Sequence, residues 1–385
     1  MRPPPLLAMI GFSMLGNSSL VVQPMIVGGM VDHLGFTERQ AGLIASVELA
    51  GLSLGMLLMV GVAQRFPRAM LAGASIATVV LANIVACFVH QFVPMLLVRF
   101  VGGAGAAMAI AVFLSMGASQ ARPENTFAIV NALSIAYSGI LTPFAPSILA
   151  AWKLPGLFLT LAAVALLMIP LLIGLDAGPQ RSPANALPQP DSAPGSGRVP
   201  IRILMLLLMM LLLYSGHGSI WAYQQRIGVG LGLQPAEIGT WIGLSMLIGG
   251  VGGSITARVL GLKLGRVWPQ LLSLGVSAVA AVMLVFGTTS VAFAAACGLI
   301  AFSWFYGLPY QMGLLAAFDP VGRANMAGVV MTTGGSAVGP ALAAVLIAQY
   351  GHPAIGVLAA SCYLLCLVLV LPSAIQLNRA APLAA

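Results

Sequence analysis

Charge is what this chain has least of. Eight Asp and Glu and sixteen Lys and Arg make up 6% of its 385 residues, against 60% that are hydrophobic. Soluble domains run at about 25% charged, so a soluble globular fold is excluded from the outset. Cysteine is also scarce: Cys87, Cys297, Cys362 and Cys366 form no CxxC pair, which argues against a disulfide framework or a zinc site. There is no HExxH motif, no Ser-His-Asp grouping and no acid-rich cluster. GGVGGS (249–254) is glycine-rich but has no lysine to grip a phosphate. No metal, no cofactor, no enzymatic activity and no ATP-driven step are therefore expected.

Long apolar runs are what the chain has instead, with a mean hydropathy of +1.04. Runs long enough to cross a ~30 Å hydrocarbon core fall near 6–30, 40–63, 69–89, 92–118, 125–150 and 154–175, then near 201–226, 236–260, 267–287, 290–318, 324–349 and 353–376. They lack the ten-residue alternation of a membrane barrel, so the expectation is an all-α integral membrane protein of twelve helices. The first run is too long for a signal-peptide core and has no clear cleavage site, and is expected to be retained. Between the sixth and seventh runs, DAGPQRSPANALPQPDSAPGSGRVP is rich in Pro, Gly and Ser and reads as a flexible linker, 176–200. The predicted organisation is a six-helix bundle over 1–175, that linker, and a second six-helix bundle over 201–385.

With the N-terminus inside, twelve basic residues lie in cytoplasmic segments, and only Arg39, Lys153 and Arg226 lie outside. That bias places both termini in the cytoplasm of a cell (inner) membrane, and it accounts for the net charge of +8 without nucleic acid. The halves also repeat. LGFTERQAGL (34–43) and LGLQPAEIGT (231–240) align at a shift of 197, which pairs Gly35 with Gly232, Gly42 with Gly239, Gly55 with Gly252 and Pro143 with Pro340. Two parallel six-helix repeats describe a transporter better than a receptor or a membrane enzyme.

One permanent charge sits deep in an apolar run. Arg99, in LLVRFVGGAGAA (96–107), lies about nine residues or ~13 Å into the fourth helix. Facing lipid there costs at least ~2.5–3.5 kcal/mol, so it faces protein or a wet cavity. Gly102, Gly103 and Ala106 give its side of the helix small residues for close packing. An arginine followed by a run of small residues on helix four of a six-plus-six chain resembles the major facilitator superfamily, and the resemblance covers the chain's length. Its proton-coupled drug and metabolite antiporters are the branch brought to mind. The loop GVAQRFPR (61–68) keeps Gly61, Arg65 and Arg68 of the family's cytoplasmic gating loop but has Gln64 and Pro67 for the acid and the second glycine. Its counterpart GLKLGR (261–266) keeps Lys263, Gly265 and Arg266, again without the acid. The antiporter-associated proline-glycine motif survives as Gly139, Pro143 and Pro146 on helix five, and more fully as Gly335, Gly339 and Pro340 on helix eleven. Hinge or helix-interface roles are expected of these residues.

Glu48 is the only acid deep in a predicted helix, and it lies at nearly the depth of Arg99. Acid and base at one depth suggest a pair, for proton coupling or for structure. His217 is a further candidate, because imidazole titrates near neutral pH. Helix seven carries Tyr214, His217, Trp221 and Gln224 or Gln225 along one stripe, and in the resembled fold it lines a central cavity. To that cavity the reading adds Trp304, Tyr306, Tyr310 and Gln311 from helix ten, Asn17 and Gln23 from helix one, and Asn131 and Tyr137 from helix five. For Trp221, Tyr223 and Arg226 the bland alternative is the interfacial aromatic and basic belt. The function expected is alternating-access secondary transport of a small organic solute by a lipid-embedded monomer, as proton-coupled efflux. The alternatives are proton-linked uptake of an organic anion, with Arg99, His217 or Arg226 meeting a carboxylate, and, more remotely, a non-transporting sensor or intramembrane enzyme.

Overall fold

The structure is a computed structural model that describes residues 5–62, 65–118, 120, 123–175, 200–319 and 323–380. Most of the 176–200 linker therefore lies outside the described residues, as does Gln64 of the first gating loop. The described residues are helical almost throughout: α1 (Pro5–Val21), α2 (Gln23–Leu34), α3 (Glu38–Val62), α4 (Arg68–Ala86), α5 (Phe92–Ala118) and α6 (Pro123–Leu166) come first. A short 3₁₀ turn (Ile169–Gly174) follows α6. Then come α7 (Ile201–Gly230), α8 (Pro235–Leu244), a π turn (Ser245–Gly250), α9 (Val251–Leu260), α10 (Val267–Phe286), α11 (Ser290–Phe318), α12 (Arg323–Tyr350) and α13 (Pro353–Ala380). Lipid offers no partners to backbone groups, and a helix satisfies them within one segment.

Among the described residues, ten helices are long and apolar enough to cross a membrane, or eleven when the bent pair α1 and α2 counts as one. That pair bends by 41°, next to Pro24, which has no N–H for the carbonyl four residues before it. One of the ten, Ile129–Ile173, is 45 residues long, about twice a bilayer crossing at 1.5 Å per residue. It breaks at Lys153 (φ 55°, ψ −160°), two residues before Pro155. Dividing it there accounts for twelve segments.

The chain forms two compact units. One comprises Met1–Val22, Val47–Tyr137 and Ile148–Arg198, the other Gln23–Ser46, Ser138–Ser147 and Val199–Ala385. In the first, α5 packs on α1 and α4 around Met9, Phe12, Ile76, Ala109 and Val112. In the second, α7 packs on α12 and α13, with α10 between α11 and α13.

Glycine sets the closest approaches. A Cβ on Gly51 of α3 would meet the Phe100 carbonyl of α5, and one on Gly103 of α5 would meet the Glu48 carbonyl of α3. The second unit repeats the contact, with Gly249 against the Gly298 carbonyl and Gly253 against the Phe302 carbonyl. These packing positions are related by 198, not 197, so the counterpart of Gly55, which lies against Ala104 and Ala107, is Gly253, where the sequence alignment pairs it with Gly252. The π turn at Ser245–Gly250 supplies the extra residue, since a π turn accommodates one more residue than the α-helix it interrupts.

Candidate functional site

The first unit holds two buried opposite charges, and its helices explain why they meet. Arg99 on α5 is 1% exposed and Glu48 on α3 6% exposed. Gly103, one turn after Arg99, lets the α3 backbone come close enough for the side chains to join. Arg99 Nε donates to Glu48 Oε2 at 3.2 Å, and Nη2 donates to Glu48 Oε1. Nη1 donates to Asn83 Oδ1 of α4 at 3.1 Å, and Nη2 also donates to the Ser19 hydroxyl of α1 at 2.5 Å. Ser19 passes its own hydrogen to Glu48 Oε1 at 2.6 Å, so it bridges the pair. The Phe158 ring of α6 lies 5.2 Å from the guanidinium centre.

Two charges buried separately would each cost several kcal/mol, whereas a pair with its remaining hydrogen bonds filled is tolerated. Arginine stays protonated at any working pH, so the carboxyl of Glu48 is the group here able to exchange a proton. A proton on it removes its charge, occupies one oxygen and leaves Arg99 without a counter-ion. The sequence singled out Glu48 and Arg99. Ser19, Asn83 and Phe158 were missed, because a serine, an asparagine and a phenylalanine in apolar helices carry no signal until a charge points at them.

The polar stripe of α7 lies in the second unit. His217 Nδ1 donates to the Leu213 carbonyl at 2.9 Å, which leaves Nε2 as an acceptor, buried and without a partner. The ring packs against Trp304 of α11 at 4.8 Å and Tyr363 of α13 at 5.0 Å. Trp304 donates its indole N–H to the Tyr214 hydroxyl at 3.2 Å. Gln224 donates to Cys297 Sγ at 2.8 Å, and the side-chain oxygens of Gln224 and Gln225 have no partner. Trp221 and Tyr223 are buried, so neither stands in an interfacial belt. Tyr306 stacks on Phe302 and packs against Tyr310, and Gln311 is buried one position beyond.

The other expected cavity residues make local contacts or stand exposed. Asn17 donates to the Ser13 carbonyl of its own helix, and Asn131 is exposed. Tyr137 shares a hydrogen bond with Ser18 at 3.0 Å. Gln23 reaches the Ala45 carbonyl at 3.4 Å. Of the gating-loop residues, Gly61, Arg65 and Lys263 are exposed, and Arg68 donates to the Ser115 carbonyl at 2.9 Å. Gly265 takes φ 67°, and the backbone N–H of Arg266 donates to Asn378 at 2.7 Å. The motif prolines make helix contacts. Pro143 and Pro146 of α6 fill the space left by Gly243 and Gly239 of α8, while Gly335 and Gly339 of α12 lie against α7 carbonyls.

A second charged cluster, also missed, lies wholly in the second unit. Arg226, at the end of α7, donates to Asp32 of α2 at 2.8 Å and to Glu38 of α3 at 3.0 Å. His352 Nε2 stands 3.2 Å from the same Glu38 oxygen, and Tyr223 donates to the Glu38 backbone carbonyl at 2.9 Å. All five residues fall on one side in the topology read from the sequence. Shared side was the available signal, but it does not establish contact.

The sequence profile described as Major Facilitator Superfamily matches residues 6–337. No curated protein sequence matches the chain. Among solved structures, the peptide transporter POT in complex with sulfate superposes with a TM-score of 0.77 at 13% identity, covering 98% of this chain and 95% of that one. The nucleoside transporter NupG superposes with a TM-score of 0.76 at 11% identity, covering 96% of this chain and 100% of that one. At such identities the likeness is one of fold alone.

Proposed function

The chain belongs to the Major Facilitator Superfamily and is a secondary transporter, and from that premise we propose that it exports a small amphipathic organic solute in exchange for protons. One observation carries the reading: a buried glutamate holds a buried arginine in a site where only the glutamate can take up or release a proton. Solute and proton compete through that carboxyl. Protonated Glu48 frees Arg99 and favours one orientation of the transporter, and deprotonated Glu48 recloses the pair and favours the other. The bodies that move are the halves 1–175 and 201–385, joined by the 176–200 linker, with both termini cytoplasmic in the cell membrane.

The uptake alternative needs a free cation to meet a carboxylate. Arg99 is held by Glu48, Arg226 is held by Asp32 and Glu38, and His217 presents an acceptor. While Glu48 is ionised, those contacts favour a solute that donates hydrogen bonds or carries positive charge, and an organic anion would have to use Arg99 as protonated Glu48 releases it. Trp304, partly exposed and packed beside His217, gives such a solute an aromatic face.

The test is solute-driven proton movement. The purified chain in liposomes enclosing a pH-sensitive dye is challenged with lipophilic amines, sugars and organic acids in turn. Proton flux opposite to an amine gradient is expected. Flux with organic acids alone, in the same direction as the acid, would overturn the export reading.

A further inference from the structure

A cavity of about 320 Å³ opens in the second unit, and its lining includes no residue of either charged cluster. Pro309, Tyr310 and Gly313 of α11 form its floor and Ala257 of α9 one wall. Its rim is the turn between α9 and α10, which contributes Gly261, Leu262 and Arg266. That turn is built to hold its shape. Gly261 and Gly265 both take positive φ, 49° and 67°, which side-chain-bearing residues rarely adopt. Asn378 of α13 accepts the Arg266 N–H at 2.7 Å and packs against Gly265. The Tyr310 hydroxyl donates to the Ala257 carbonyl at 3.4 Å and closes the far side.

The charge around this cavity is one-sided. Arg258, Lys263 and Arg266 stand on or beside the rim, and among the described residues no carboxylate lies within 4 Å of any of them. Arg226 of the same unit, by contrast, is paired with Asp32 and Glu38. The surroundings are apolar. Leu262, Leu264 and Trp268 are exposed on the turn and the first residues of α10, and Trp268 is 65% exposed. An exposed indole beside basic residues at the end of a membrane helix marks the headgroup level of the bilayer.

A half-buried guanidinium over an apolar cavity fits a ligand that is anionic at one end and hydrocarbon at the other. We propose that this cavity binds one anionic phospholipid, with its phosphate on Arg266 and Lys263 and its glycerol and upper acyl region over Pro309, Tyr310 and Gly313. Free phosphate offers the same anion but leaves the apolar floor without a partner. A lipid supplies both, and Arg258 adds attraction for a net negative headgroup.

The full-length chain in mild detergent is titrated with phosphatidylglycerol, with phosphatidylcholine and with inorganic phosphate, and adducts are counted by native mass spectrometry. A single phosphatidylglycerol adduct is expected at several-fold lower lipid concentration than the phosphatidylcholine adduct. Arg266→Gln should weaken it roughly fivefold, the effect of removing one cation near an anionic headgroup. Gly313→Leu keeps every charge and fills the cavity from a position where an added Cβ meets nothing, so it should weaken both lipids. Arg39→Gln, an exposed cation at the start of α3, should change neither. Equal binding of the two lipids, or phosphatidylglycerol binding untouched by Arg266→Gln or by Gly313→Leu, would overturn the proposal. Displacement of the lipid by millimolar inorganic phosphate would make this a free-anion site and overturn it equally.

Discussion

Replacing Arg99 by methionine removes the hydrogen bonds to both Glu48 oxygens, to Ser19 and to Asn83, and leaves a carboxyl that is 6% exposed with one hydroxyl for company. Breaking a buried pair from one side costs about 3–5 kcal/mol, most of it the penalty of the charge left behind. The double variant Glu48→Leu/Arg99→Met removes that charge as well. It still leaves the Ser19 hydroxyl and Asn83 Oδ1 without their partners, at roughly 1 kcal/mol each, while the Asn83 amide keeps its bond to the Val79 carbonyl. Replacing a buried pair by apolar residues of similar volume is otherwise neutral or stabilising by about 1–4 kcal/mol. The double variant should therefore lie within about 2 kcal/mol of the parent and clearly above Arg99→Met. Equilibrium unfolding of the parent, Glu48→Leu, Arg99→Met and the double variant in one detergent mixture measures the cycle. A double variant as unstable as Arg99→Met, or less stable, would refute the argument that the abandoned carboxyl is the liability.

Gly103→Leu should cost at least ~3 kcal/mol and yield little folded protein, because the clash is with the Glu48 backbone carbonyl and no rotamer relieves it; Gly275→Leu, where an added Cβ meets nothing, is the control. Arg226→Gln should lose about 1 kcal/mol at low salt and much of that difference at 1 M salt, since Asp32 is 46% exposed and the cluster is partly screened. A salt-independent loss in thermal unfolding would assign Arg226 a packing role instead. Lys153→Gly should gain roughly 1 kcal/mol, as φ 55°, ψ −160° suits only glycine; a lower unfolding midpoint would show that the lysine side chain is needed there.

The buried pair was legible because charge is so rare here that two opposite charges at one depth stand out. Apolar runs gave the helices for the same reason, with lipid permitting few alternatives to a helix. The break at Lys153 and the bend before Pro24 fell where prolines interrupt those runs. The π turn was hidden, because one added residue leaves no compositional trace; the backbone at Ser245–Gly250 shows it, and the Gly51 and Gly249 contacts show its effect on register. Ser19 and Asn83 were hidden for a related reason. Their role depends on which helix faces Arg99, and the pattern of apolar residues in a membrane helix does not encode facing. The glycines and prolines of the repeated motifs proved to be contact residues between helices, as Pro143 on Gly243 illustrates.

The central claim is that proton energy enters through the Glu48 carboxyl. Its most direct test compares Glu48→Gln with the parent in liposomes, for a solute that the parent moves against its gradient when a pH difference is imposed. Glutamine keeps the size and one acceptor but cannot exchange a proton. The variant should lose uphill movement entirely while still exchanging labelled for unlabelled solute across the membrane. Full proton-driven accumulation by Glu48→Gln would contradict the account and leave the pair with Arg99 as a structural one.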